Sequence, residues 1–245
     1  MILRSTLVLR LKNAAALVAL LLSACGSGPS PDDAAAVQAL EARIAALEQR
    51  KERIEDVNAI ERLQAAYGYY ADRGLWEEAA NLFADDGTIE IALDGVYVGK
   101  PRVREYLRTI SGGRSSLTDG ELGEHLQVMP VITLAPDGLT AKARWRAIIL
   151  EGELGGQAFW GEGPYENEYV KDDGVWKIKA LHWYQALYVP YEGGWQTKPD
   201  PTGGKYISNT LPPDRPPSVE YKTWPDTYLP PFSFPNPVGK YVAAQ

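Results

Sequence analysis

The chain has 245 residues, 23% of them charged and 45% hydrophobic, with a formal net charge of −7 and a single cysteine. An acidic chain without a cluster of Lys and Arg excludes phosphate-backbone binding as a main role, so no nucleic acid is expected as a partner. One cysteine excludes an intramolecular disulfide, and two distant histidines give no ligand spacing of a recognised type, so no metal is expected.

Residues 1–24 read as a targeting segment. Arg4, Arg10 and Lys12 form a basic start, and Ala14 to Leu22 an apolar core too short to span a bilayer. Leu22-Ser23-Ala24-Cys25 resembles a bacterial lipobox, which predicts cleavage before Cys25 and lipidation on it. The alternative is an ordinary secretory signal beside a chance cysteine. Gly26 stands where an inner-membrane retention signal would place aspartate, which points to the outer membrane, facing the periplasm. The membrane is then a partner through the anchor alone. Losing three positive charges from −7 leaves the mature chain at −10.

Residues 25–35 read as a tether, and 36–55 as a helix. Val37, Leu40, Ile44, Leu47 and Ile54 follow a three–four spacing that Lys51 interrupts. The spacing fits a short coiled-coil seam of a homo-oligomer (dimer or trimer), or one amphipathic helix packed on its own domain. Asp56 is placed to cap a new helix with Val57, Ile60, Leu63, Gln64 and Tyr67 on one face. Arg73-Gly74 breaks it, and Trp76, Ala80 and Phe83 share the face of a further helix. Thr88–Leu93 alternates into Asp94-Gly95, a hairpin signal, followed by Val96–Val98. Gly99 to Arg108 predicts a loop and a third short helix with Pro101 in its first turn. Val128–Leu134, Thr140–Glu151, Glu166–Val170 and Val175–Leu187 read as strands joined by Pro136-Asp137-Gly138 and Lys171–Gly174. Helices followed by strands give the α+β class.

Two segments carry a family resemblance. Tyr67–Gly87, YGYYADRGLWEEAANLFADDG, and residues 163–178, GPYENEYVKDDGVWKI, together resemble the SnoaL-like branch of the nuclear transport factor 2-like superfamily. The resemblance covers residues 56–190. It implies a cone-shaped, curved antiparallel sheet behind three N-terminal helices, enclosing a pocket for a hydrophobic ligand. It says less about activity, because the fold hosts enzymes, binding proteins and scaffolds.

The family's dehydratases and lyases are similar in combining a tyrosine and an aspartate at the positions of Tyr67 and Asp72 with a histidine from the sheet, here His125. A histidine takes a proton near neutral pH, a carboxylate holds its ring, and a phenol donates to a departing oxygen. The resemblance thus implies catalysis by Tyr67, Asp72 and His125 with no cofactor, whereas His182 is read as structural. Each of the three has a bland alternative: a core aromatic, a helix-end carboxylate and a loop histidine. No Gly-x-Ser-x-Gly elbow or phosphate-cradling glycine loop is present.

Arg144, Trp145 and Arg146 alternate along one strand, so Trp145 and the arginines face opposite sides. Trp145 inside the pocket would stack on a ring, and Arg146 inside would hold an anionic or phenolic group; the pattern does not choose. Trp160, Glu162 and Tyr165 lie in a glycine-punctuated segment, GGQAFWGEGPY, that reads as a lid beside the mouth, with Trp160 and Tyr165 touching substrate. Residues 191–245 form an extension; from Pro190 onward it holds 12 of the 18 prolines and nine aromatics. That composition predicts an extended strap over its own domain or a neighbouring subunit, or a segment that binds an envelope partner.

The reading with most support is a cofactor-independent lyase or dehydratase. It would eliminate water, or cleave in a retro-aldol sense, from a hydrophobic, aromatic or polycyclic hydroxylated molecule. The resemblance makes diaryl compounds that release formaldehyde one concrete option. A small-molecule-binding envelope lipoprotein and an oligomeric scaffold are the competing classes.

Overall fold

A computed structural model describes residues 30–238. The expected targeting segment, Cys25 and most of the expected tether lie outside those residues. Two compact units are distinguished, Met1–Glu52 and Arg53–Gln245, and the described part of the first is essentially helix alone.

One helix, α1 (Pro31–Asp72), replaces the expected tether end and the two expected helices. Ser30 caps it: its hydroxyl accepts the Asp33 N–H, while the Asp33 carboxylate accepts the Ser30 N–H. With Pro31 in the first helical position, this reciprocal cap fixes the start five residues earlier than expected. Nothing breaks the helix at Asp56. The change from one apolar stripe to another marks a change of buried face along a continuous helix. From Asp56 onward the buried side runs through Ile60, Gln64, Tyr67, Gly68 and Ala71. Fully burying Ile60 contributes about 2 kcal/mol.

Asp56 itself is a buried anchor. Its Oδ1 accepts Trp176 Nε1 at 2.9 Å and lies 2.6 Å from Lys171 Nζ. This ties α1 to the hairpin at the far end of the sheet. Further along, Gln64 Oε1 accepts Tyr169 Oη (2.6 Å) and Asn167 Nδ2 (3.0 Å), and Tyr169 Oη accepts Trp145 Nε1 (3.0 Å). A satisfied polar network of this kind fixes one helix–sheet register where apolar packing alone would tolerate several.

After α2 (Trp76–Asn81) the chain forms β1 (Phe83–Ile91), β2 (Val96–Val98) and α3 (Lys100–Ile110), then β3 (Glu121–Leu134), β4 (Thr140–Glu153), β5 (Ala158–Asp172), β6 (Val175–Trp183) and β7 (Leu187–Pro190). A short helical turn, α4 (Gly194–Thr197), follows. The sheet is open and ordered β2-β1-β6-β5-β4-β3, with β7 also on β5. It is mixed, not purely antiparallel: β1 and β6 pair in parallel. Alternation sends Ala141, Ala143, Trp145, Ala147 and Ile149 of β4 to the buried face shared with α1.

Two expected boundaries shift. GGQAFWGEGPY is no lid: from Ala158 it is β5, paired with β4 as far as Gly152, so only Gly155–Gln157 of it lies outside the strand. The expected single strand Val175–Leu187 is β6 and β7, separated by an arch over β5.

The extension packs on its own domain. The buried Asp94 carboxylate, expected only as a turn residue, accepts the N–H groups of Tyr206, Ile207 and Ser208 at 2.8–3.1 Å and Tyr106 Oη at 2.9 Å. Tyr97 Oη donates to the Leu211 carbonyl, and Glu90 accepts the Ser218 N–H. The last residues of the extension, including Tyr241, lie outside the described residues.

Candidate active site

α1 ends at Asp72 because Gly74 takes a positive φ (66°), which lets the Gly74 and Leu75 N–H groups bond back to Ala71 and Tyr70. The Asp72 side chain is thereby turned onto β3, where its Oδ1 accepts the His125 backbone N–H. The His125 ring lies inward, in mid-strand and not at the strand's start. Its Nδ1 is 3.3 Å from Asp72 Oδ1, and its Nε2 is 3.5 Å from Glu151 Oε1. The Nδ1 contact is an ion-pair contact without an aligned hydrogen bond. Glu151 is a diagonal cross-strand neighbour, since His125 pairs with Ile149 in the β3–β4 register. Tyr188 Oη, from β7, donates to Glu151 Oε2 at 2.6 Å.

Burial opposes a charge on the His125 ring, but the Asp72 and Glu151 carboxylates outweigh it and hold the imidazole pKa up at about 9. The same contact with His125 keeps the Glu151 carboxyl below the usual range despite its burial. Burial pushes the Tyr67 phenol well up, so it keeps its proton and serves as a donor. His182 behaves differently: it sits on the other sheet face, stacked on Tyr184, and desolvation drives its pKa down to about 3.

A folded-state pKa of about 9 for His125 against an unfolded value of about 6.5 makes a definite stability prediction. The native state holds the extra proton, so the stabilisation is complete below about pH 6.5 and is lost as pH rises through about 9. Its full size is about 3 kcal/mol. Urea unfolding between pH 6 and 10 should show wild type losing roughly that much more stability than His125→Gln. Parallel curves would show that the two carboxylates do not bind the imidazolium.

Above this dyad lies a cavity of about 700 Å³, within the usual range for small-molecule sites. Tyr67, Trp76, Phe159, Tyr165, Trp183 and Tyr206 are among its aromatic wall, and Arg114, Glu121 and Glu153 join His125 and Glu151 as its ionisable groups. Tyr67 meets Tyr165 edge-on at 6.5 Å. Tyr206 arrives from the extension and packs edge-on against Tyr188 at 5.6 Å. Among the described residues no group of three or more His, Cys, Asp or Glu side chains has the geometry to hold a metal ion.

The structure therefore brings Tyr67, His125 and Tyr165 to one cavity and sets Asp72 directly behind His125. It does not bring three other expected contacts there. Trp145 faces inward but is buried in the wall against Tyr169, beneath the cavity surface. Arg146 faces outward and pairs with Glu162 at 2.8 Å, because it is one residue out of phase with Trp145. Trp160 is likewise out of phase with Phe159 and Tyr165, and outside the cavity it stacks on Tyr191 and meets Trp195 edge-on. Glu151, Phe159 and Tyr188 were not anticipated, and Tyr206 was expected only as one of the extension's rings. Glu151 had a signal: it shares Trp145's parity along one strand.

Residues 52–182 match the family model of the SnoaL-like domain, more than half of the chain. The chain belongs to that family. Among solved structures, this SnoaL-like chain is similar to hexachlorocyclohexane dehydrochlorinase LinA-type3 from Novosphingobium barchaimii LL02. They are 19% identical, with a TM-score of 0.52, over 59% of this chain and 95% of that one. A second hexachlorocyclohexane dehydrochlorinase, LinA type2, is 19% identical with a TM-score of 0.50, over 58% of this chain and 92% of that one. At such identities the likeness establishes the shared fold; what the SnoaL-like cavity does rests on its own side chains.

Proposed function

We propose that this protein is a cofactor-independent lyase that eliminates water, or cleaves in a retro-aldol sense, from a hydrophobic hydroxylated molecule bearing aromatic rings. The observation that carries the reading is His125 held between two carboxylates at the floor of an aromatic-walled cavity. The neutral His125 Nε2 takes a proton from carbon, the C–H pair becomes the new double bond, and the neighbouring C–O bond breaks. The departing oxygen takes the Tyr67 proton and leaves as water, and the imidazolium proton returns to the tyrosinate. Asp72 and Glu151 stabilise the imidazolium as it forms, the electrostatic role that a preorganised site performs best. In the retro-aldol variant the base takes the hydroxyl proton, the C–C bond breaks to release a small carbonyl, and its electron pair, left as an enolate on the remaining carbonyl fragment, takes the proton back from the imidazolium. That the structural neighbours are named dehydrochlorinases accords with elimination as the reaction type.

The test is a panel of aromatic β-hydroxy ketones and diaryl diols incubated with the protein and read by mass spectrometry for loss of water or of formaldehyde. Turnover that vanishes in His125→Gln supports the reading. Compounds that bind tightly and emerge unchanged would make the protein a binding lipoprotein instead. We further propose an outer-membrane anchor at Cys25, on the strength of the Leu-Ser-Ala-Cys pattern. Recovery of Cys25→Ser in the same membrane fraction as wild type would count against it.

A further inference from the structure

We propose that residues Val37 to Ile54 of α1 form a parallel, in-register, two-stranded coiled coil with a second copy of this chain. The helix is continuous through this stretch, and every residue from Pro31 to Glu52 is exposed. The apolar stripe lies open: Val37, Leu40, Ile44, Leu47 and Ile54 expose between 42% and 63% of their surface.

The charges that flank the stripe say what covers it. With Val37, Ile44 and Lys51 at a positions and Leu40, Leu47 and Ile54 at d, the residues before each a are Ala36, Arg43 and Arg50. Those after each d are Glu41, Glu48 and Glu55. In a parallel pair the residue before a faces the residue after the next d on the other helix. Arg43 then meets the partner's Glu48, and Arg50 the partner's Glu55, each twice by symmetry. An antiparallel pair would set arginine against arginine and glutamate against glutamate, so the same pattern rejects it. β-Branched residues at a with leucine at d favour two strands over three. Lys51 at an a position lowers stability while holding one register. The seam is only about 27 Å long, so the association is reversible and micromolar rather than permanent.

Sedimentation equilibrium of the full chain in mild detergent tests this. Wild type is expected to show a monomer–dimer equilibrium in the micromolar range. Leu47→Glu, on an exposed helix face, should raise the dissociation constant about 100-fold and leave the unfolding midpoint of the dilute protein unchanged. Arg43→Glu should raise it about tenfold, and Arg43→Glu combined with Glu48→Arg should restore it. A monomer at all concentrations, a trimer, or a dimer indifferent to Leu47→Glu would overturn the proposal. Tighter association in Arg43→Glu would overturn the parallel orientation, and failure of the charge swap to restore wild-type affinity would overturn the register.

Discussion

Replacing His125 with glutamine is expected to lower kcat/KM for the proposed elimination about a thousandfold, the usual loss when a positioned general base is removed. Glutamine keeps the size and a polar head, so the cavity survives and the loss reads as chemistry. The pH profile carries more information than the loss itself. With an imidazole pKa near 9, roughly 1% of the ring is neutral at pH 7. If neutral His125 is the base, kcat/KM of wild type climbs about tenfold per pH unit from pH 6 and levels near 9. If instead the imidazolium is the acid, with Glu151 as base, the rate falls above pH 9. Glu151→Gln sharpens the distinction. Removing one of the two carboxylates moves the bend of the rising profile to lower pH, because less negative charge then holds the proton on the ring. A profile flat from pH 6 to 10 would remove His125 from proton transfer altogether.

The polar groups of this arrangement were more legible in the sequence than its walls. Tyr67 and Asp72 stand out because a helix ending at Arg73-Gly74 must deliver its last carboxylate to whatever lies opposite, and His125 is one of only two histidines. Faces were harder to read than residues. Alternation states that Trp145 and Arg146 point apart, yet only the partner layer decides which side is inside; here α1, through Gln64 and Tyr169, claims the Trp145 side. The same alternation, carried to the end of β4, leads to Glu151. Trp160 was misread because Gly155-Gly156 suggested a lid, whereas the strand resumes at Ala158 and its phase is set by Tyr165. Asp56 shows the opposite failure. An aspartate before an apolar stripe has the pattern of a helix cap, but a buried tryptophan N–H and a lysine ammonium made it a tertiary anchor instead. Local spacing identifies the groups that can act, and the long-range partners then choose among their roles. The extension is the extreme case: its prolines and rings predict packing, but the buried carboxylate of Asp94 that receives it lies more than a hundred residues upstream.

Gly163→Ala is expected to cost about 4 kcal/mol or more of stability, a loss reserved for a short set of mechanisms. The cause here is backbone against backbone. Between β6 and β7, residues Tyr184 to Ala186 arch across β5, held by Tyr184 N–H to the Pro164 carbonyl (2.9 Å) and Ala186 N–H to the Glu162 carbonyl (2.8 Å). The arch passes so close that a Cβ on residue 163 would lie 2.0 Å from the Tyr184 carbonyl oxygen and 2.8 Å from the Ala186 nitrogen. No rotamer change relieves such a clash, so the arch must lift and surrender those two hydrogen bonds. Trp183 enters the arch and Tyr188 leaves it, one walling the cavity and the other holding Glu151. The substitution therefore couples stability to the site. Gly123→Ala is the matched control, on the cavity side of β3, where a Cβ would meet the flexible Leu117 side chain at 3.4 Å and the Asp72 carbonyl oxygen at an ordinary contact distance of 3.7 Å. Urea unfolding should place Gly123→Ala within about 1 kcal/mol of wild type and Gly163→Ala far below it. Equal stability of the two variants would mean that the arch does not ride on the Gly163 backbone, and that the position of Tyr188 over Glu151 is set from elsewhere.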